Sequence, residues 1–255
     1  MASNLTLRPA RRSNISNLAH LGNAANAQSA LHRRMSPGRD IYPTSYYLWR
    51  LNIIRERFAT PNLRSMVVED TFTGEILGLS CWTVEGPKTP LYKGWVSESS
   101  WTDWLERKLI GIEKMYGRYV SDRATDYAFL DRFMAAFLGQ DQMAHPPCIR
   151  LHMIVVDPSK QSKGVGKMMI DWGKELALKE DLPMYLESNL EATGFYEKGG
   201  FSRLEEDMVV DVDGDEPFRI PVFVWEGEER RGRWLEPFAS GVRWRWRGDP
   251  MDSSV

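Results

Sequence analysis

The sequence lacks several features that would place it in a specialised class. Its two cysteines, Cys81 and Cys148, are too few for a disulfide framework and form no metal-ligand cluster. A formal charge of −2 implies no strong attraction to nucleic acid or to a membrane surface. No apolar run approaches the ~20 residues of a membrane helix, and the N-terminus has no apolar signal-peptide core. We therefore expect a reduced, cytoplasmic globular protein with no metal, no nucleic-acid partner and no membrane partner.

Acidic residues are missing from the start of the chain. None precedes Asp40, whereas six arginines do: Arg8, Arg11, Arg12, Arg33, Arg34 and Arg39. An Arg-rich, acid-free N-terminus is typical of a mitochondrial transit peptide. The alternative, which we favour, is that this stretch is the first strand and helix of the folded domain. Removing it would delete the strand predicted from Leu5 to Ala10.

What the sequence does contain is a strand, a glycine-bearing turn and a helix in direct succession. The apolar run ends at Asp157, the turn carries Gly164 and Gly166, and an amphipathic helix follows. The first amides of a helix lack intrahelical partners, and the helix dipole favours an anion there. Glycines let backbone N–H groups approach such an anion closely. The turn therefore predicts an anion-binding site, to which three lysines add charge: Lys160, Lys163 and Lys167.

The spacing of this turn excludes two common phosphate-binding motifs. No Gly-Lys-Ser/Thr closes it as in a P-loop, and only two of the three glycines of the dinucleotide fingerprint are present. The pattern Gln161-x-x-Gly164-x-Gly166 resembles the coenzyme A loop of the GNAT superfamily of N-acetyltransferases. An ordinary strand–turn–helix junction is the alternative interpretation of the turn alone.

A second motif follows one helix later and resembles the closing motif of the same superfamily. A strand is predicted over 183–189, then a short helix that contains Tyr196, then Gly200-Phe201 before another strand. The Trp82-Thr83 ending of the third strand, the long insertion after it and the Leu-Glu-Ser strand are most similar to puromycin-type antibiotic acetyltransferases and their uncharacterised fungal relatives. The strong part of the resemblance covers residues 149–204.

The resemblance implies one α/β domain over residues 1–255, with a GNAT-type mixed, mostly antiparallel sheet flanked by helices. A helical insertion is expected over 86–147, between strands 3 and 4, and an aromatic-rich extension over 226–255. In the insertion, Ser100 and Asp103 predict a helix start. The apolar stripe that follows predicts packing against the domain, with a wall of the acceptor site as the alternative. The last strand is predicted over 218–225, where Pro221 suggests an edge position.

The extension ends in alternating cations and aromatics from Arg243 to Arg247. Single-strand nucleic-acid binders use such patterns. Because the net charge is near zero and no RNA-binding motif is present, we expect this tail to pack on the domain. A homodimer surface is a further expectation for it.

The chemistry is an implication of the resemblance. Acetyl-CoA would be the cosubstrate, with no metal, and an amine would attack its thioester directly in a ternary complex. The implied coenzyme-binding residues are Ile154, Val155 and Val156 on strand 4, Gln161, Ser162, Lys163, Gly164, Val165, Gly166 and Lys167 in the turn, and Asn189.

Two residues match catalytic positions of the family. Tyr196 matches the general acid, and a core tyrosine is the alternative. Glu187 is the candidate for accepting the amine proton, with binding of the ammonium group or a solvated strand end as alternatives. His152, the histidine within the motif block, is more typical of a structural residue.

The acceptor is expected to be a small-molecule amine such as a xenobiotic, antibiotic or toxin. Two alternatives remain open. One is a peptide or protein N-acetyltransferase of the same fold, and the other is a non-catalytic acyl-CoA-binding protein.

Overall fold

The computed structural model describes residues 4–140, 146–212, 214, 216–238 and 243–247. Within these residues the strands are β1 (Leu5–Pro9), β2 (Leu63–Asp70), β3 (Ile76–Glu85), β4 (Cys148–Val156), β5 (Met184–Glu187), β6 (Ser202–Arg203), β7 (Met208–Val210), β8 (Phe218–Ile220), β9 (Val222–Trp225), β10 (Leu235–Phe238) and β11 (Arg243–Trp246). The helices are α1 (Ile15–Ala25), α2 (Ala30–Met35), α3 (Pro43–Ala59), α4 (Pro90–Ser97), α5 (Trp101–Tyr116), α6 (Tyr127–Gln140), α7 (Val165–Glu180) and α8 (Thr193–Lys198). None of these helices is both long and apolar enough to cross a bilayer.

The strands form a mixed, mostly antiparallel sheet, as the sequence predicted. Its order is β1-β2-β3-β4-β5-β9-β6 among the described residues. The β4–β5 pair is parallel, whereas β1–β2, β5–β9 and β6–β9 are antiparallel. Two further antiparallel pairs, β7–β8 and β10–β11, stand outside this sheet. The fold class is therefore confirmed.

The chain divides into two compact units. The first comprises Met1–Trp82, Lys93–Leu130 and Met153–Ile170, and the second comprises Thr83–Tyr92, Asp131–His152 and Asp171–Val255. Strands β3 and β4 and helix α7 each contribute residues to both units. The expectation of one domain over residues 1–255 stays a prediction.

In the first unit, neighbouring residues of β2 point into different clusters of buried side chains. Val67 packs with Leu18 of α1 and Ile54 of α3, whereas Val68 packs with Val165 and Met169 of α7. This is the alternation that a strand imposes on its side chains. A Cβ at Gly78 of β3 would lie 2.7 Å from Val165 and 2.9 Å from Met169. A glycine at position 78 thus lets the first turns of α7 approach β3 closely.

In the second unit, the described part of the aromatic tail packs on the core as expected. Trp244 and Trp246 of β11 contact a buried cluster that includes Tyr185, Leu204 and Met208. The backbone N–H of Glu205 donates to the Trp244 carbonyl at 2.7 Å.

The predicted edge position at Pro221 is wrong. Pro221 lies between β8 and β9, and β9 has a strand on each side, β5 and β6. The proline is tolerated because its missing N–H falls at the junction of two strands. Its carbonyl is still used, since it accepts from the Ser188 N–H at 2.9 Å.

The insertion is helical, and its predicted helix start is confirmed at α5. The Ser100 N–H donates to Asp103 Oδ2 at 2.9 Å, and the Asp103 N–H donates to Ser100 Oγ at 3.2 Å.

The packing predicted for the apolar stripe of α5 is wrong. Trp101 is 73% exposed and Ile112 is 64% exposed, and Ile110 is the buried residue of this helix. The polar side of α5 instead contacts α3 through charge: Glu106 pairs with Arg55 at 2.9 Å. The periodicity correctly identified an apolar side of α5, but ion pairs hold the opposite side.

Candidate active site

The predicted anion-binding turn lies in the first unit, between β4 and α7. Asp157 begins it by accepting from the Ser159 N–H at 2.8 Å and from Ser159 Oγ at 2.6 Å. These hydrogen bonds hold the pKa of Asp157 below its ordinary value. The backbone then takes positive φ angles at Ser162 (63°) and Gly164 (85°). Val165 is buried and anchors the start of α7.

This backbone can bind an anion. Positive φ angles beside a helix start turn successive N–H groups toward one point. The first amides of α7, at Val165 and Gly166, have no carbonyl partner inside the helix. A Cβ at Gly164 would meet no atom within 4 Å, so the space next to the turn is open. The residues present therefore fit the phosphate part of a coenzyme.

The lysines around the turn have different surroundings. Lys160 Nζ lies 3.1 Å from a carboxylate oxygen of Glu75, so its charge is partly compensated. Lys163 is exposed and makes no ion pair with a described residue. Lys163 is thus the better placed of these two cations to attract an anion.

Strand β4 leads into the turn and extends beyond the end of its parallel partner, β5. Its ladder with β5 pairs Ile149 with Met184 and ends where Leu151 pairs with Leu186. β4 then runs on to Val156. Ile154 and Val156 pack on the cluster around Val165, and Val155 packs on the cluster around Leu18. Their backbone contacts with a coenzyme stay a prediction.

Glu187, at the end of β5 in the second unit, is not a solvated strand end. Arg150 Nη2 donates to Glu187 Oε1 at 2.5 Å, and Arg150 Nε donates to Oε2 at 3.4 Å. The two side chains are 9% and 10% exposed. The Arg150 guanidinium also lies 5.5 Å from the centre of the Tyr185 ring. Glu187 is therefore a buried, charge-paired carboxylate.

A second group of polar side chains in this unit consists of Thr83, Glu85 and His152, and the sequence did not reveal that Glu85 belongs to it. Thr83 Oγ1 lies 2.8 Å from His152 Nε2 and 2.9 Å from Glu85 Oε1. His152 Nε2 lies 3.7 Å from Glu85 Oε1. His152 above all, together with Thr83 and against the effect of burial, lowers the pKa of Glu85 to about 2. The alternation of Thr83 and Glu85 along β3 was the available signal that they share a face.

Tyr196 and Asn189 are held by local packing. The Tyr196 ring is 4% exposed and lies within 5.6 Å of the ring centres of Phe195, Phe201 and Phe223. Burial raises the pKa of Tyr196, so its hydroxyl stays protonated at neutral pH. Asn189 Oδ1 accepts from the Ala192 N–H at 3.0 Å and caps the short helical turn that begins at Leu190.

Part of the chain is similar to known acetyltransferases. Residues 80–201 match the acetyltransferase (GNAT) family. Over 67 residues the chain is 36% identical to the probable acyltransferase SID5 of Ajellomyces capsulatus, and this match covers 25% of the chain and 49% of that protein. The chain thus matches about half the length of this curated relative. A histone acetyltransferase HPA2 and related acetyltransferase of Corynebacterium glutamicum superposes with a TM-score of 0.54 at 18% identity, covering 86% of this chain and 94% of that one. This last likeness shows the fold alone.

Proposed function

We propose that this chain, which carries a GNAT acetyltransferase domain over residues 80–201, transfers the acetyl group of acetyl-CoA to the amine of a small molecule. The observation that carries this proposal is the turn between β4 and α7. Its positive φ angles at Ser162 and Gly164, its open surface and the helix-start amides of Val165 and Gly166 suit the coenzyme diphosphate. When bound, acetyl-CoA would supply the reactive thioester.

The proposed coenzyme contacts are made by backbone more than by side chains. The N–H groups of Val165, Gly166 and Lys167 would bind phosphate oxygens, and the exposed stretch 161–163 would border them. The backbone of 154–156 would bind the pantetheine arm beyond the end of the β4–β5 ladder. Asn189 would add a contact through its side-chain NH2 group, because the helix cap uses only its Oδ1.

Tyr196 is the proposed general acid for the departing thiolate. Its raised pKa keeps the phenol protonated, and its aromatic neighbours restrict the ring to one orientation. A positioned acid contributes ~10²–10⁴ in rate.

Glu187 is the proposed carboxylate beside the reacting amine. Its pairing with Arg150 bears on how it would act. A proton taken up by Glu187 would weaken two charge-assisted hydrogen bonds and remove the negative charge that pairs with the Arg150 guanidinium. The pair therefore favours an electrostatic contribution from Glu187 over proton transfer.

The acceptor is proposed to be a partly apolar amine. The described part of the insertion exposes large apolar side chains such as Trp104 and Tyr116. Its acids are largely engaged: Asp103 pairs with Arg12 at 2.5 Å, and Glu106 pairs with Arg55. A polyamine or a basic peptide would need a row of uncompensated carboxylates.

Calorimetry with acetyl-CoA and a thiol-release assay over a panel of amines test this function. Gly164→Val forces a β-branched residue into a left-handed conformation, and we expect coenzyme affinity to fall about tenfold or more. Gly232→Ala is the matched control, since its φ is also positive at 81° and its nearest atoms lie 3.9 Å from an added Cβ. Equal affinity in both folded variants would refute the assignment of the turn. Coenzyme binding without thiol release for any amine would favour the acyl-CoA-binding alternative.

A further inference from the structure

In the group formed by Thr83, Glu85 and His152, the His152 ring is both accessible to solvent and hydrogen-bonded. β4 is an interior strand of the sheet, yet the His152 side chain is 31% exposed. Nδ1 of His152 has no hydrogen-bond partner among the described residues, whereas Nε2 lies 2.8 Å from the Thr83 hydroxyl. One ring nitrogen is thus engaged and the other is open.

Counting hydrogens determines which nitrogen carries the proton. The Thr83 hydroxyl has one hydrogen and lies 2.9 Å from a carboxylate oxygen of Glu85, which can only accept when ionised. With a pKa of about 2, Glu85 is ionised throughout the neutral range. The hydroxyl hydrogen therefore points to Glu85, and Thr83 can only accept from the ring. Nε2 of neutral His152 must carry the hydrogen, and the lone pair is left on Nδ1.

We infer that His152 is the residue that accepts the amine proton, through Nδ1, and that Thr83 and Glu85 are positioning residues that fix its tautomer. The inference rests on the proposed function. A hydrogen-bonded acceptor that fixes the tautomer of a basic histidine is a recurring device in catalytic sites.

The charges around His152 support this role. On β3 the facing titratable group is Glu85. On β4 the titratable group on the same side of the strand is Arg150, two residues before His152. On β5 the groups are Tyr185 and Glu187, and Glu187 compensates Arg150 at 2.5 Å. The charge left over is that of Glu85, which favours both a substrate ammonium and the imidazolium that forms.

The proton balance is complete without another reactant. The ammonium nitrogen gives one proton to Nδ1 of His152, and the ring becomes an imidazolium that keeps its Nε2 hydrogen. The neutral amine then forms the C–N bond as the C–S bond breaks, and the leaving sulfur takes a proton, in our proposal from Tyr196. The nitrogen gives up its second proton, which restores the Tyr196 phenol, and the imidazolium of His152 releases its proton to water. A free alkylamine has a pKa of ~10, so the acceptor arrives as an ammonium that must lose a proton before its nitrogen can attack.

Two measurements on the full chain test the inference. Long-range ¹H–¹⁵N NMR reads the tautomer without turnover, and His152→Gln identifies the signal. We expect the Nε2–H tautomer in the wild type and in Thr83→Ser, and a mixture in Thr83→Val and Glu85→Gln. An Nδ1–H ring in the wild type would overturn the proposal.

The second measurement is the pH dependence of kcat/KM. We expect His152→Gln to lose about 10²-fold or more and the acidic limb of the profile, with acetyl-CoA affinity unchanged. Thr83→Ser, which keeps the hydroxyl, should keep the acidic limb of the pH profile at its wild-type position. Thr83→Val, which lacks the hydroxyl, should shift that limb. A wild-type profile in His152→Gln would overturn the role of His152 and leave the acetyltransferase proposal standing. Absence of turnover in the wild type for every amine would instead refute the proposed function.

Discussion

Replacing Glu187 with Gln removes the charge that compensates a nearly buried guanidinium. The two side chains of the Arg150–Glu187 pair are 9% and 10% exposed, and two hydrogen bonds join them. Breaking such a pair from one side typically costs about 3–5 kcal/mol, because the remaining charge stays buried. The Tyr185 ring at 5.5 Å offers the guanidinium a weak substitute. We expect Glu187→Gln to lower the free energy of unfolding by about 3 kcal/mol.

Urea denaturation followed by circular dichroism at neutral pH measures this loss. The Lys114–Glu56 pair is the internal control, since its atoms also approach to 2.5 Å but its side chains are 41% and 48% exposed. An exposed pair contributes about 0–1 kcal/mol, so Glu56→Gln should change stability little. Similar small losses in both variants would refute the argument that burial makes the first pair costly to break.

A double variant separates buried charge from lost packing. Arg150→Met with Glu187→Leu removes both charges and keeps much of the apolar volume. We expect it to be more stable than Glu187→Gln alone, because no uncompensated charge remains. A double variant less stable than the single one would show that the pair itself, not the orphaned charge, supplies the stability.

Three further predictions follow from the same structure. Tyr196→Phe should lower kcat by ~10²–10⁴ at unchanged acetyl-CoA affinity, and wild-type turnover when chemistry limits the rate would leave Tyr196 as a core residue. Glu85 has a depressed pKa of about 2, so its stabilisation is fully present above its ordinary pKa of 4.5 and is lost as pH falls toward 2. Urea denaturation of the wild type and of Glu85→Gln measures this contribution. The difference in their free energies of unfolding should be about 1–2 kcal/mol above pH 4.5, a value reduced for solvent exposure, and should shrink as the pH falls toward 2. A difference that does not change with pH would contradict the prediction. If the exposed side of α5 binds a second copy of the chain, Ile112→Glu should convert a dimer into a monomer in light scattering, and an unchanged mass would exclude this helix as the interface.

Local patterns were reliable where the physics is local. The capping box of Ser100 and Asp103 needs only four consecutive residues of sequence, and the structure forms it. The positive φ at Gly164 follows from a turn that needs a residue without a side chain. The inference at Pro221 failed because a missing N–H excludes a ladder position but does not choose between a sheet edge and a strand junction.

The sequence could not identify partners that are distant along the chain. The hydrogen bond between His152 and Thr83 could not be foreseen because the two residues lie 69 positions apart. The pairing of Glu187 with Arg150 could not be foreseen for the same reason, since Arg150 lies 37 positions away. Periodicity shows that one side of a helix is apolar, but it does not show what covers that side, as the exposed Ile112 illustrates.

The two carboxylates of the second unit differ in what compensates them, and this difference bears on the acceptor. Glu187 faces a full positive charge from Arg150, so the pair is close to neutral. Glu85 is stabilised above all by the ring of His152, which is neutral in one of its two states, then by the hydroxyl of Thr83 and more weakly by Arg150. A protonated amine near Glu85 would therefore meet one net negative charge beside a histidine able to take its proton. Two carboxylates in different surroundings can have different roles. Here Glu85 would attract the substrate ammonium and Glu187 would contribute to the electrostatic field of the site, and neither has to act as the base.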